Sequence, residues 1–227
     1  MLKLYNTYFP NIVFITPYPI IENDRIISCN ESYDGYYSYY CFKKVYEKYS
    51  KFKGYLYIND DIFVKIWELD NLDFNIPWFY LFSKFSSLDS KWPHYNDCSN
   101  IYEVLNNNFQ WKNNLIKFLG FDDIPISIAD FYYIPNYIAS KFIIILEKMY
   151  NSKIFLECAV PTAMAIVLFH KYQLINIRAL WEDERKNVIN YLKKTFNQIT
   201  IHPIKFSNID FQNEINKYMY FINAKEY

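Results

Sequence analysis

Gly54-Tyr-Leu-Tyr-Ile-Asn-Asp-Asp61 is the stretch on which the fold of this chain turns. Its first five residues suit a buried strand, and the polar triplet that follows puts an amide and two carboxylates at the strand's C-terminal tip. Like charges a few ångströms apart repel, and burial raises the cost further. A divalent cation removes that cost, because Mn²⁺ or Mg²⁺ takes oxygen ligands from one or two carboxylates and completes its shell with water and diphosphate oxygens. The plainer alternative is that Asn59, Asp60 and Asp61 only supply turn residues.

Upstream, Tyr36–Tyr49 carries Tyr39, Phe42, Tyr46 and Tyr49 at helical spacing, with Lys43, Lys44, Glu47 and Lys48 opposite, which predicts an amphipathic helix. Short apolar runs at Asn11–Pro17 and Arg25–Cys29 precede it and predict strands. Strand, helix, strand in that order predicts parallel pairing with a right-handed crossover, and ligands collect outside the carboxyl ends of such strands.

Downstream, Asp70–Asp123 lacks a clean period and reads as an insertion that shapes one wall of a cleft. Ala129–Pro135 predicts a strand, Ile138–Tyr150 a helix, and Ile154–Tyr172 a second helix in which Pro161 is tolerable only in the first turn. A charged helix at Glu182–Thr195 and a last strand at Gln198–Pro203 complete the order. The expected fold is α/β: a mostly parallel central sheet flanked by helices in a single domain over 1–227. It divides into an N-terminal part (1–67), the insertion (68–128), and a C-terminal part with the last strand (129–227).

With 227 residues, 52% of them hydrophobic, the chain is long enough to bury one ordinary core. Lysine plus arginine equals aspartate plus glutamate at 24 each, so no basic field exists for a polyphosphate backbone, and nucleic acid is excluded as an expected partner. Three glycines against 24 tyrosines and 20 phenylalanines match A/T-rich coding rather than a functional demand. Cys29, Cys41, Cys98 and Cys158 show no metal-ligand spacing and are expected to be reduced, packing thiols. No run approaches the roughly 20 apolar residues of a membrane span. The expectation is therefore a soluble intracellular protein, although a luminal domain cut from an anchored protein would read the same way.

Phe52–Trp67, centred on Asn59-Asp-Asp61, resembles the stretch around the Asp-x-Asp motif of GT-A glycosyltransferases, with the exostosin-like and STELLO-like proteins as the nearest likeness. That resemblance spans Asn11 to Trp67 and extends more loosely to 129–162 and 200–207. It implies that 1–67 is the nucleotide-binding half and 129–227 the acceptor half, that Asp61 is a metal ligand, that Asp60 touches metal or sugar, and that Asn59, the departure from the motif, faces ribose. His202, in Thr200-Ile-His-Pro-Ile-Lys205, resembles the C-terminal histidine that completes the metal shell; the alternative is a surface histidine at a strand end. Lys205 would neutralise the leaving diphosphate or stay solvated, and Thr16 at the tip of the first strand is read as a further donor contact.

Glu157 stands alone in an apolar stretch at the start of a helix, where burial would raise its pKa and the helix N-terminus would oppose that rise. The resemblance implies that it is the general base; otherwise it caps the helix or pairs with a lysine. Asp130 is a second catalytic candidate that would hold an acceptor or donor hydroxyl. His94 and His170 have no partners at ligand spacing and are read as structural.

The implied reaction moves a sugar from a nucleoside diphosphate sugar, UDP-linked, to a hydroxyl of a glycan, protein or small-molecule acceptor, with Mn²⁺ or Mg²⁺. The rival from another class is a catalytically inactive GT-A-like binding or scaffolding module. A nucleotidyltransferase is disfavoured because no glycine- and lysine-rich phosphate loop follows the first strand. Nor is there a GxGxxG, Walker-type loop, HExxH or nucleophile elbow.

Overall fold

The structure, a computed structural model, describes residues 5, 8–9, 11–16, 18, 21, 23–29, 36–168, 171–179, 200–202 and 213. The helix expected at Glu182–Thr195 lies outside them, as do His170 and Lys205. Phe131-Tyr-Tyr-Ile-Pro135 (β8) is buried at every position. A strand covered on both faces reads as a continuous apolar run rather than an alternation. Its even residues, Tyr132 and Ile134, enter one core with Tyr55, Phe79 and Phe142, while Phe131 and Tyr133 enter a second with Trp78, Ile62 and Ile175.

On one side β8 pairs with Gly54–Ile58 (β3), on the other with Trp78–Tyr80 (β5), both antiparallel; β5 pairs in parallel with Gln173–Ile175 (β9). The order β3-β8-β5-β9 therefore places three strands in one direction and β8 against them. Ser83–Lys84 (β6) and Pro125–Ile126 (β7) pair antiparallel as a small separate sheet, and the result is mixed α/β. The parallel crossover expected from the first strand to β3 is not formed among the described residues: Phe14–Thr16 (β1) and Ile26–Ser28 (β2) pair with each other in parallel as a separate sheet. The intervening helix begins as a 3₁₀ turn, Ser38–Tyr40, and continues as Cys41–Lys48 (α1).

The middle third is not an insertion, because β5 sits inside the central sheet and Trp78 is fully buried. It also holds three helices, Tyr95–Ser99 (α2), Ile101–Asn106 (α3) and Phe109–Leu119 (α4). The asparagine run 106–108 marks the break between the last two. The Asn108 side chain accepts a bond from the Trp111 amide as N-cap of α4, and Gly120, at φ 75°, ends that helix in the left-handed conformation.

Two long helices pack against each other, and the first of them also packs on β3 and β8. Asn136–Asn151 (α5) follows β8 directly, and Leu156–Val167 (α6) runs almost wholly buried. Pro161 lies beyond the first turn of α6, contrary to expectation. A proline there leaves the carbonyl four residues back without a helical donor. That carbonyl belongs to Glu157, and the Ser127 amide bonds to it at 3.1 Å, so the defect becomes a tie between helix and loop.

The cysteines are not reduced: Cys29 pairs with Cys41 and Cys98 with Cys158. Separations of 12 and 60 residues carry no recognisable pattern, which is why the sequence did not reveal them. No helix among the described residues is long and apolar enough to cross a membrane.

Gly54 opens β3 under the ring of Tyr133. A Cβ there would lie 2.0 Å from the Tyr133 hydroxyl and 2.4 Å from Cζ. The ring has no room to yield, since it stacks on Trp78 at 4.5 Å and its hydroxyl donates to the Phe74 carbonyl. Gly54→Ala is expected to cost about 1–3 kcal/mol, read as a lower urea midpoint. An unchanged midpoint would mean that this packing is looser than described.

Candidate functional site

Three strand ends and one helix start bring the polar residues together. Asn59 and Asp130 extend the β3–β8 ladder by one step beyond Ile58 and Phe131, with the Asn59 amide donating to the Asp130 carbonyl at 2.9 Å. Just past Asp61 the chain forms a short strand, Phe63–Val64 (β4), which pairs antiparallel with Thr200–His202 (β11). Parallel pairing with Ile177–Ala179 (β10) fixes β11 from its other side. This pairing carries His202 back to Asp61 across some 140 residues of sequence. The Ser127–Glu157 tie sets the start of α6 near Asp130.

His202 Nε2 lies 3.3 Å from Asp61 Oδ2 and 3.9 Å from Asp130 Oδ2. Asp130 is 7% exposed, and burial, joined by the charge of Asp61, outweighs the lowering effect of His202 and Asn59, so its pKa is raised. Burial pushes Glu157 up to about 7, with the charge of Asp130 adding to the rise and His202 opposing it. For His202 burial acts downward, but the Asp61 hydrogen bond and the charges of Asp130, Asp61 and Glu157 together exceed it, and its pKa is raised.

Asn59 is engaged inward. Its Nδ2 donates to Asp130 Oδ1, and its Oδ1 accepts from the Tyr57 hydroxyl at 2.8 Å. Ser38 Oγ lies 2.6 Å from that same hydroxyl. Both side-chain groups of Asn59 are thus occupied by protein, which is a different role from a ribose contact. Asp60 is exposed at the tip. Thr16 bonds through Oγ1 to the Tyr18 amide and through its carbonyl to the Cys29 amide, contacts within its own two-stranded sheet and not with this cluster. His94 stacks its ring on Phe155 at 3.8 Å, with Asp97 Oδ2 4.0 Å from its Nδ1, and burial lowers its pKa.

Sequence reasoning missed Tyr57 and Ser38. Tyr57 was within reach, because residues two apart on a strand share a face and Tyr57 therefore lies beside Asn59. Ser38 carries no such signal.

Among the described residues no three His, Cys, Asp or Glu side chains form a group that could hold a metal ion. The pair Asp61 Oδ2 and His202 Nε2 does suit a shared cation. Ligands about 2.1 Å from a metal on adjacent octahedral vertices stand about 3 Å apart, and cations that bind diphosphates need only one or two carboxylates from protein. Two donors fit an ion that draws the rest of its shell from water and substrate. No protein-family model matches the chain, and neither a curated protein nor a solved structure does.

The raised groups set a pH dependence. Glu157 has a folded pKa above its ordinary 4.5, so its contribution to stability is full below about pH 4.5 and is lost as pH rises through about 7. The rise at His202 has the same sign. Without added metal, the protein is expected to lose as much as about 3 kcal/mol of unfolding free energy between pH 5 and 7. Urea midpoints across that interval measure the loss, and Glu157→Gln should flatten the slope; a wild-type midpoint that climbs instead would refute the burial of this carboxyl.

Proposed function

We propose that the protein is a metal-dependent glycosyltransferase that moves a sugar from a nucleoside diphosphate sugar to an acceptor hydroxyl. The supporting observation is the convergence of Asp61, Asp130 and His202, far apart in sequence, on the C-terminal tip of β3, with the start of the helix that carries Glu157 tied to Ser127, three residues before Asp130. Asp61 and His202 would hold the cation. Bound there, Mn²⁺ or Mg²⁺ supplies positive charge against the negative charge that develops on the departing diphosphate.

Glu157 supplies the complementary half of the reaction. A carboxylate whose pKa lies near 7 is ionised in part at neutral pH and still basic enough to accept a proton from a hydroxyl in the transition state. In the proposed step the acceptor oxygen forms a bond to the anomeric carbon as the bond from that carbon to the diphosphate oxygen breaks. The proton goes to Glu157, and the configuration inverts. Asp130, held between Asn59 and His202, keeps the imidazole facing Asp61. The two disulfides support a domain that works in an oxidising compartment, luminal or extracellular, rather than in the cytoplasm.

The test is thermal unfolding against a panel of nucleotides and nucleotide sugars, each with and without Mn²⁺, since a ligand of the native state raises the melting temperature by linkage. A Mn²⁺-dependent shift with one UDP- or GDP-sugar is expected and identifies the donor. The absence of any shift would favour the non-catalytic binding module.

A further inference from the structure

Asparagine in the first place of an otherwise acidic triplet looks like a lost ligand, but its surroundings point elsewhere. Its Nδ2 and backbone amide both bond to Asp130, the first to Oδ1 and the second to the carbonyl. Its Oδ1 is held by Tyr57, whose hydroxyl also meets Ser38. Asp130 is the most buried carboxylate of the site, and its remaining oxygen, Oδ2, faces His202 at 3.9 Å. An ionised carboxylate accepts bonds and cannot donate them, so only an N–H or O–H donor can stand against Oδ1 and satisfy it, and a second carboxylate cannot.

We propose that Asn59 is a positioning residue: through the chain Ser38–Tyr57–Asn59 it locks the Asp130 carboxylate so that one oxygen is consumed by the amide and the other is presented to His202. An aspartate in its place would set two carboxylates face to face in a half-buried pocket that already holds Asp61. Like charges at such range cannot both ionise without penalty. The asparagine is then what lets the site keep Asp61, Asp130 and Glu157 together. Its bearing on catalysis rests on the proposed transfer reaction, whereas its bearing on the geometry of His202 does not.

The experiment uses the full chain without metal or donor and compares wild type with Asn59→Asp, the exchanged pair Asn59→Asp/Asp130→Asn, and Tyr57→Phe. Melting temperature at pH 8 reads the carboxylate clash. Asn59→Asp should melt about 5 °C lower or more, and the exchanged pair, which restores one amide against one carboxylate, should regain most of that loss. The second readout is the imidazole signal of His202 in ¹H–¹⁵N spectra, assigned from its disappearance in His202→Gln. Tyr57→Phe deletes the middle hydroxyl of the chain and should move that signal while leaving the signal of His94 in place.

A merely structural role for Asn59 would not carry a change at Tyr57 to His202. The proposal is overturned if Asn59→Asp melts with the wild type, if the exchanged pair is no better than the single variant, or if the His202 signal stays fixed in Tyr57→Phe. A separate Mn²⁺ titration of the wild type tests the metal reading, and its failure would leave these outcomes standing.

Discussion

Asp61→Ala is expected to abolish the Mn²⁺-dependent rise in melting temperature with the nucleotide sugar while leaving the fold intact. Donor at about 100 times its Kd stabilises a native protein by about 2.7 kcal/mol, roughly 5–10 °C for a chain of this size. That whole shift should vanish, because in the proposed site Asp61 supplies one of the two ligands, 3.3 Å from His202, and a lone imidazole holds a hard, oxygen-seeking cation poorly. The fold should survive because Asp61 is only partly buried and belongs to no strand. Unfolding in urea with an unchanged slope would confirm that the loss is one of binding. A retained shift would remove Asp61 from the donor site.

Glu157→Gln should separate binding from chemistry. The amide keeps the size of the side chain and cannot accept the proton, so donor binding should persist while transfer falls by about 10²–10⁴-fold, the usual contribution of a general base. The same variant relieves the cost of a buried carboxylate above pH 7, so it should be no less stable than wild type there. Rate and stability moving in opposite directions would be hard to obtain from a damaged fold. Transfer at the wild-type rate would exclude Glu157 as the base.

Much of the site was legible in the sequence because strand tips and helix starts leave strong local marks. Apolar runs ending in carboxylates gave Asp61, and a solitary carboxylate before a buried helix gave Glu157; the resemblance, not any local mark, suggested His202. The pairing of strands was less accessible. β8 was recognised as a strand, but nothing local says that it lies between β3 and β5 in the opposite direction. β5 escaped notice because three consecutive aromatic residues have neither the alternation of a half-buried strand nor the length of a helix. Asn59 was recognised as unusual from its place in the triplet, whereas its purpose depends on Asp130, 71 residues away. Contacts between distant residues of ordinary type have no signature in a single sequence, and the two disulfides were missed for that reason as well.

The Cys98–Cys158 bridge joins α2 to the residue that follows Glu157. Production in a reducing bacterial cytosol would therefore yield a chain whose proposed base sits on a helix start that keeps its backbone bond to Ser127 but has lost its covalent tie, and such a preparation is expected to underreport activity even when correctly folded elsewhere. Periplasmic or secretory expression, with free thiols counted before any assay, is the way to obtain material in which an inactive result carries meaning.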